Sequence, residues 1–482
     1  MRSDRPAEKR WFATTAPGGV RRYDDIHFLS EAIGWAINNT GQILRTVDGG
    51  EHWQEQANFE RWLRCISMVD ERIGWVGGKP HDASLEIEDI LFKTTDGLSW
   101  NPVTNLPMEY RSPDDADSPS AICGLYALPD GKHVFAAGTN ERYKPTRFLR
   151  SSDGGESWTC RDMGKYAALL VDVYFENERE GWLAGGRRDP RTPGDENVVA
   201  AIWHTVDGGA TWREVLGDQV DRPPGEEWWG WKIQFVDHDF IAVSTQSHSS
   251  ASILITEDHG RRWCRREVPC QGNLQGIGFL DRRRGWVGGW GPGWDGRTSV
   301  TEDGGNHWCD ATSDFETPES GARPPQLTRS VSGQDINRFR VIRGDDPVIY
   351  AAGKTVYKYT DAPVRAPSLG AGHPPPLVLP QDLLRVADGP VSFTVELPAG
   401  ARRLVIHIYD RFADRKRTIM EDDPRPPGPH PVVWDIADDD GRPLPPGAYF
   451  LQVSCDDRCA SLTILVRAHH ERGGTGSDEP ER

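Results

Sequence analysis

The sequence of 482 residues contains no run of 18 apolar residues. Because a membrane-spanning helix needs about 20 such residues, no membrane span is predicted. The first ten residues are mostly polar and no apolar segment follows them, so no signal peptide is predicted either. We therefore expect a cytoplasmic protein, or a secreted one only if a leader was removed from the chain.

Cysteine is scarce and does not form a metal-binding pattern. The eight cysteines include no CxxC pair and no Cys/His spacing typical of zinc sites, so we predict no metal and no cofactor. Cys455 and Cys459 enclose three residues and could lie across a hairpin. Two reduced thiols fit the missing leader, whereas an oxidising compartment would allow a disulfide.

Basic residues are also fewer than acidic ones, which gives the chain a formal net charge of −17. Such a chain is repelled by polyanions, so no nucleic-acid partner is expected. Glycine, proline and tryptophan are abundant instead, with 51, 36 and 19 residues. This composition is typical of a turn-rich β protein with many aromatic contacts.

A turn motif is repeated along the chain. Residues 46–53 read TVDGGEHW, and related segments occur at residues 94–100, 151–158, 205–212, 256–263 and 301–308. We expect each Asp carboxylate to accept hydrogen bonds from the backbone that follows it, and the glycines to adopt positive φ. The turn aspartates, to which we assign a structural role, are Asp48, Asp96, Asp153, Asp207, Asp258 and Asp303.

The turns recur about every 50 residues, a period typical of propellers and other repeat arrays. An alternating strand and a Gly-Trp strand precede each turn, so each repeat predicts four short strands, or one propeller blade. An incomplete seventh copy of the turn motif occurs at residues 356–361, so seven blades are predicted. Residues around Trp11 are expected to supply the outer strand of the last blade and so close the ring. The predicted fold class is all-β, with a seven-bladed propeller over residues 1–362.

The composition changes after the propeller. A proline-rich linker is predicted at residues 363–376, and residues 377–467 alternate like the strands of a small Ig-like β-sandwich. Trp434 and the Asp440-Gly441-Arg442 turn resemble the Ig-like module of FlgD flagellar hook-capping proteins, which is non-catalytic. Residues 468–482 are polar and predicted to be disordered.

The repeats resemble the Asp-box (BNR) repeats of sialidases. The pairing of a Gly-Trp strand with the Asp turn is most similar to the Ycf48-like photosystem II assembly-factor propellers, and the resemblance spans roughly residues 10–362. A Ycf48-like propeller implies an arginine patch suited to an acidic or C-terminal segment. A sialidase implies three arginines, a tyrosine nucleophile and an aspartate acid/base.

Loop length predicts which propeller face binds a partner. The Asp turns are expected on one face of the propeller, and the long loops of variable length on the opposite face. Binding sites usually lie on such loops. The tryptophans predicted to bind there are Trp228, Trp229, Trp231, Trp290 and Trp294. Exposed tryptophans would stack on sugars or on a partner's apolar side chains, and the alternative is that they pack into the propeller rim.

Polar side chains of the innermost strands form a second candidate set, since alternation turns them toward the central channel. The basic residues predicted to bind a partner near its mouth are Arg22, Arg64, Lys232, Arg338 and Arg340. The catalytic candidates are the possible acid/base pair Asp25 and His27, together with Asp172 and Tyr174. The alternative for all of these residues is a solvated channel lining.

The sequence thus favours a non-catalytic binding or assembly scaffold that docks a protein or peptide partner, and possibly a glycan, on the face opposite the Asp turns. The alternative is a glycan-active hydrolase or lyase that uses the same face. Glycosidases need two carboxylates about 5–10 Å apart. Such a pair at the channel mouth would favour the enzyme.

Overall fold

The computed structural model describes most of the propeller and the strands of the C-terminal domain. The described residues are 9–17, 22–59, 61–79, 90–107, 121–139, 145–189, 197–221, 227–247, 250–269, 273–289, 296–316, 334–344, 347–361, 364, 383–386, 390–397, 404–410, 415–423, 426, 428–445, 447–455 and 458–466.

The first strand of the chain, β1 (Arg10–Ala13), is followed by six blades of four antiparallel strands each. Blade 1 contains β2 (Tyr23–Phe28), β3 (Gly34–Asn38), β4 (Gln42–Thr46) and β5 (Gln54–Asn58). Blade 2 contains β6 (Leu63–Met68), β7 (Gly74–Gly78), β8 (Leu91–Thr94) and β9 (Asn101–Pro102). Blade 3 contains β10 (Gly124–Ala127), β11 (Val134–Gly138), β12 (Arg147–Ser151) and β13 (Thr159–Asp162).

The next three blades repeat this order. Blade 4 contains β14 (Leu169–Phe175), β15 (Gly181–Arg188), β16 (Val198–Thr205) and β17 (Arg213–Glu214). Blade 5 contains β18 (Trp228–Phe235), β19 (Ile241–Ser247), β20 (Ala251–Thr256) and β21 (Cys264–Val268). Blade 6 contains β22 (Leu274–Phe279), β23 (Gly285–Gly289), β24 (Thr298–Thr301) and β25 (Cys309–Asp310).

Blade 7 joins the two ends of the propeller sequence. It contains β27 (Arg338–Ile342), β28 (Val348–Ala352) and β29 (Val356–Thr360), with β1 as its fourth strand and the short β26 (Phe315–Glu316) beyond β1. A single 3-10 turn at Thr312–Asp314 precedes β26. Because β1 pairs antiparallel with β29, the predicted closure of the ring by the segment around Trp11 is confirmed.

The seven innermost strands form a closed cycle. Each of β2, β6, β10, β14, β18, β22 and β27 contacts the next one, and β27 contacts β2. Apolar layers fill the space between neighbouring blades. In one such layer, Phe135 and Phe148 of blade 3 pack with Phe175 and Trp212 of blade 4. The predicted seven-bladed propeller is therefore confirmed.

The Asp turns form as the sequence predicts. In blade 4, Asp207 Oδ1 accepts hydrogen bonds from Thr205 Oγ1 and from the backbone N–H of Thr211, both at 2.8 Å. The Thr205 hydroxyl in turn accepts the Gly209 N–H at 3.0 Å. Gly208 has φ +71° and Gly209 has φ +87°, which glycine adopts without penalty. The Gly208 N–H also donates to the carbonyl oxygen of Arg179 at 2.7 Å, so the turn is stabilised both by its own residues and by the first hairpin of the same blade.

The C-terminal domain is a two-sheet β structure. Its strands are β30 (Leu383–Val386), β31 (Val391–Leu397), β32 (Leu404–Asp410), β33 (Arg415–Asp423), β34 (Gly428–Trp434), β35 (Gly447–Cys455) and β36 (Arg458–Val466). One sheet has the order β30-β36-β35-β32-β33, and the other is the β31-β34 pair. An apolar core that includes Phe393, Ile406, Trp434 and Leu451 is shared by both sheets. The predicted Ig-like sandwich is confirmed.

The chain divides into two compact units, Met1–His373 and Pro374–Arg482. The linker and tail boundaries drawn from the sequence stay predictions, because nearly all of the linker and the whole tail lie outside the described residues. Within the described ranges, no helix has the length and apolar character that crossing a membrane requires. Cys455 and Cys459 lie on paired strands, one residue out of register, because Cys459 is opposite Ser454.

Candidate functional site

The first strands of five blades carry a β-bulge at nearly the same height. The register shifts around one residue in blades 1, 2, 4 and 6, namely Asp24, Arg64, Val171 and Gln275, and blade 5 has a similar shift that includes Trp231. A bulge re-aims the side chain of the extra residue. Since each first strand begins on the face opposite the Asp turns, the bulges bring these side chains toward the mouth of the channel.

The mouth cluster is defined as the bulge residues Asp24, Arg64 and Trp231 together with Arg22 and Trp62, which precede the first strands of blades 1 and 2. Asp24 Oδ1 lies 3.0 Å from Arg22 Nη2 and 3.5 Å from Arg64 Nη1, and Asp24 Oδ2 accepts the Trp62 indole N–H. The Arg64 guanidinium lies 5.0 Å from the centre of the Trp62 ring and 5.5 Å from that of Trp231, within cation–π range.

Arg22 ties the mouth cluster to two further blades. Its Nη1 donates to Gln275 Oε1 at 3.0 Å and to Asn337 Oδ1 at 3.2 Å. Burial lowers the pKa of Arg22 to about 9, even though the Asp24 carboxylate acts in the opposite direction. The cluster therefore holds a strongly desolvated guanidinium at the channel mouth.

A middle cluster lies one residue further along the first strands and consists of Asp25, Asp172, Lys232, Arg338 and Arg340. Arg338 Nε donates to Asp25 Oδ1 at 2.9 Å, and its Nη1 donates to Asp172 Oδ2 at 3.1 Å. One guanidinium therefore bridges carboxylates from blades 1 and 4. Arg340 lies 3.6 Å from Asp25, and Lys232 lies 3.8 Å from Asp172.

Burial and charge act in opposite directions on the pKa values of the middle cluster. Burial alone would raise the pKa of Asp25, but the charges of Arg338 and Arg340 outweigh it and lower the pKa to about 2. Burial lowers the pKa of Lys232. For Arg338 the two carboxylates overcome the effect of burial and raise the pKa above its ordinary value.

The geometry opposes catalytic roles for the four candidate residues. Asp25 and Asp172 do meet in the channel, yet both are bound by Arg338 and accept backbone N–H groups of Ile66 and Ile233. A general acid needs a raised pKa, whereas the pKa of Asp25 is lowered. The shared ion pair with Arg338 therefore disfavours the acid/base chemistry that a glycosidase needs.

His27 and Tyr174 are equally unsuited to catalysis. Burial, together with the nearby Arg340 charge, lowers the pKa of His27 to about 3, so the ring is neutral. Burial and the adjacent Tyr126 raise the pKa of Tyr174 well above its ordinary value. The Tyr174 ring also stacks on Phe235, at 4.2 Å between centroids, and contacts the tilted ring of Tyr126 at 4.7 Å. These ring contacts favour a packing role for Tyr174.

The tryptophans of blade 5 are not a stacking surface. Trp228, Trp229 and Trp231 are buried, because β18 begins at Trp228 and the predicted loop ends earlier than the sequence suggests. Of the two alternatives, packing into the propeller is therefore correct for these three. Trp290 and Trp294 lie outside the described residues.

The basic residues do not form one exposed patch at the strand entries. Arg22 and Arg64 belong to the mouth cluster, whereas Arg338 lies deeper in the middle cluster, and all three are buried. The expectation of a solvated channel lining is likewise wrong for Asp25, Asp172, Lys232 and Arg338, which are buried and paired.

Sequence reasoning did not identify Asp24, Trp62 or Asn337, although all three contact the predicted arginines. Asp24 was missed because strict alternation of side chains along the strand turns residue 24 away from the channel, whereas the bulge changes the direction of its side chain. The side chains that could hold a metal ion lie elsewhere, on the Asp-turn face, at Glu176, Glu180, His204, His238 and His259.

The fold agrees with the comparisons to known proteins. The family model of the FlgD Ig-like domain matches residues 382–458. The Photosystem II assembly lipoprotein Ycf48 of Synechococcus sp. (strain CC9902) is 25% identical over 327 residues, which is 64% of this chain and 80% of that protein. The chain thus combines an Asp-turn β-propeller similar to Ycf48 with a FlgD-like Ig-like domain.

Three solved structures are similar to the chain. Ycf48 from Cyanidioschyzon merolae is 16% identical, with a TM-score of 0.49, and the match covers 73% of this chain and 99% of that chain. A structure described as Ycf48 bound to D1 peptide is 15% identical, with a TM-score of 0.48, and the match covers 74% of this chain and 98% of that chain. A GH74 enzyme of Niastella koreensis is 13% identical, with a TM-score of 0.50, and the match covers 80% of this chain and 59% of that chain. The likeness to the GH74 enzyme is one of fold alone.

Proposed function

We propose that this protein is a non-catalytic assembly scaffold that docks a protein or peptide segment on the propeller face opposite the Asp turns. The similarity in sequence to an assembly lipoprotein supports an assembly role. The loops of variable length emerge on the same face as the mouth cluster, which supports the choice of face. The cytoplasmic location expected from the sequence stays a prediction.

The observation that carries the proposal is the charge of the channel. In the middle cluster three cationic groups, on Lys232, Arg338 and Arg340, surround only two carboxylates. This excess of positive charge occurs inside a chain whose formal net charge is −17. Positive side chains in a narrow channel with low-dielectric walls focus their field toward its mouth.

The same geometry indicates the chemistry of the partner. A carboxylate that approaches along the channel axis meets the field of the middle cluster and the guanidinium of Arg64. Arg64 is also flanked by two indole rings, which favour an apolar side chain beside the anionic group. We infer that the partner offers an acidic side chain or a free C-terminal carboxylate next to an apolar residue.

The glycan-active alternative has less support. The two carboxylates that meet in the channel are ion-paired to Arg338, and the pKa of Asp25 lies well below the range of a general acid. The acidic residues of the loop at residues 80–89 lie outside the described residues. No pair of described carboxylates at this mouth therefore argues for a hydrolase.

Arg64→Gln is the variant that tests the proposal. Asp24 keeps its contacts with Arg22 and Trp62 in this variant, so the fold is expected to be retained. A library of C-terminal decapeptides with free carboxylates is selected on the full chain, and affinities are measured by fluorescence anisotropy. We expect Arg64→Gln to weaken binding at least about tenfold, because a partly desolvated charge pair is lost.

The matched control is Arg45→Gln. Arg45 also pairs with one carboxylate, Glu71 at 3.1 Å, and lies over an indole, Trp35 at 5.3 Å, but it is next to an Asp turn. This variant is expected to bind the selected peptides normally, and amidation of the peptide C-terminus or higher salt should weaken binding to the wild type. Equal affinity of the Arg64→Gln variant and the wild type would refute docking at the mouth.

A further inference from the structure

The Asp turn of blade 5 departs from the others at one position. His259 occupies the place of the first glycine and has φ +57°, whereas the corresponding glycines of the complete turns have φ between +71° and +75°. A side chain other than glycine is strained in this region of backbone conformation. Such strain persists where the side chain makes compensating contacts, and often at a functional position.

The imidazole of His259 is fixed in one tautomer. Its Nδ1 lies 2.6 Å from the backbone carbonyl oxygen of His238, and because a carbonyl only accepts, Nδ1 carries the hydrogen. In the neutral ring the lone pair is then on Nε2. That atom lies 3.4 Å from Glu176 Oε1 and 3.3 Å from Glu180 Oε1, both of which are acceptors. A cation between these atoms removes the repulsion of the facing lone pairs.

A second imidazole completes the group. His204 Nε2 lies 3.0 Å from Glu180 Oε1, and its ring stacks on Trp182 at 4.1 Å between centroids. The Trp182 ring also contacts His259 edge to face, and its indole N–H donates to Glu176 Oε1 at 3.1 Å. One buried tryptophan therefore orients both histidines and one carboxylate.

The spacing of these donor atoms fits a transition-metal ion. The donors of Glu180, His204 and His259 all lie within 4.8 Å of one another. Four donors at about 2.0–2.1 Å from a tetrahedral zinc ion lie roughly 3.3 Å apart, close to the separations given above. A ligating histidine typically donates its other ring N–H to a carbonyl or carboxylate, as His259 does to His238.

We propose that Glu180, His204 and His259 bind a divalent first-row transition-metal ion, with zinc as the representative. Imidazole and carboxylate ligands suit zinc, copper, iron and nickel better than calcium or magnesium. Two of the three ligands, Glu180 and His204, come from blade 4, and His259 comes from blade 5. The ion therefore joins two neighbouring blades on the Asp-turn face, away from the proposed docking face.

This site was not expected from the sequence, which predicted no metal. Its donors come from three separate segments between residues 180 and 259, so they show no compact ligand spacing. The one sequence signal is the histidine in the imperfect fifth turn. A propeller brings such distant positions together because equivalent turns of neighbouring blades lie side by side.

The direct test is zinc binding by the full chain after treatment with a chelator, measured by competition with a chromophoric zinc indicator. His259→Gly removes a ligand while restoring the residue of the other turns, so this variant is expected to fold. We expect it to lose affinity for zinc by on the order of 100-fold or more. The matched control is His307→Ala, since His307 is an exposed histidine in the Asp turn of blade 6. It should bind zinc as the wild type does.

Cobalt gives a second readout of the same site. Co²⁺ bound by the wild type should show the intense visible absorption of tetrahedral coordination, and Glu180→Gln should reduce it. Zinc should also raise the melting temperature of the wild type but not that of His259→Gly. The proposal is overturned if the wild type binds zinc no more tightly than His259→Gly, or if His307→Ala loses as much affinity.

Discussion

Replacing Arg338 by methionine is expected to lower the free energy of unfolding by about 3–5 kcal/mol, because two carboxylates are left buried without their shared partner. Arg338 bridges Asp25 at 2.9 Å and Asp172 at 3.1 Å, and all three side chains are almost entirely inaccessible to solvent. The contacts of Arg340 and Lys232 with these carboxylates are longer and do not replace it. Urea denaturation followed by tryptophan fluorescence measures the loss.

Arg282→Met is the matched control for this prediction. Arg282 also makes a two-point contact with a carboxylate, that of Asp237 at 2.6 and 2.8 Å, but the pair is exposed. Its removal should cost less than about 1 kcal/mol. An equal loss in both variants would show that burial of the middle cluster does not determine its contribution.

The pH dependence gives a second check on Arg338. The pKa of Asp25 is lowered from 3.8 to about 2, so the stability that Asp25 contributes is complete above pH 3.8 and is lost as the pH falls toward 2. Without Arg338 the carboxylate is protonated more easily. The deficit of the Arg338→Met variant should therefore be largest at neutral pH and shrink on acidification. A deficit that is constant with pH would contradict this explanation.

Replacing Trp11 by alanine is expected to destabilise the propeller by about 3–5 kcal/mol, the usual cost of deleting a large buried aromatic side chain. Trp11 is fully buried and contacts the rings of Trp286, Phe315, Phe339 and Tyr359 at 5.1 to 5.6 Å. These rings belong to blades 6 and 7, and Trp11 lies on the strand that closes the ring. The loss should appear in calorimetry as a lower melting temperature.

Trp11→Phe separates the packing of the ring from its polar atom. The indole N–H of Trp11 is buried and has no hydrogen-bond partner among the described residues, so its removal costs no hydrogen bond. Phenylalanine keeps most of the aromatic contact, and we expect less than half of the loss found for alanine. If both variants were as stable as the wild type, the N-terminal strand would not be needed to close the propeller.

Much of the fold could be predicted because its signals are local. The side-chain hydrogen bonds that shape an Asp turn join residues within about seven positions, so the sequence of the turn marks a blade without knowledge of the rest of the chain. In the C-terminal domain, residues 391–397 and 404–410 alternate in hydrophobicity and form β31 and β32. The same pattern does not mark β30 and β33. Both are edge strands, and β33 is rich in charged residues, which suits an edge but hides the alternation.

The candidate site could be predicted only in part, because its contacts are not local. Arg338 is 313 residues from Asp25 and 166 residues from Asp172 along the chain. The alternating pattern predicts that these side chains face the channel, but it could not show that one guanidinium binds both carboxylates. The bulges around Asp24 and Arg64 break that alternation, and the sequence gives no sign of them. The mouth cluster therefore became visible only in the structure.

Photo-crosslinking with a selected peptide tests the central claim most directly. The peptide carries a diazirine beside its free C-terminal carboxylate, and mass spectrometry of the digested complex locates the attachment. Docking at the channel mouth predicts attachment close to Arg22, Trp62, Arg64 or Trp231, and little attachment to the Arg64→Gln variant. Attachment confined to the Asp turns, such as residues 46–53 or 205–212, would contradict the assignment of the binding face.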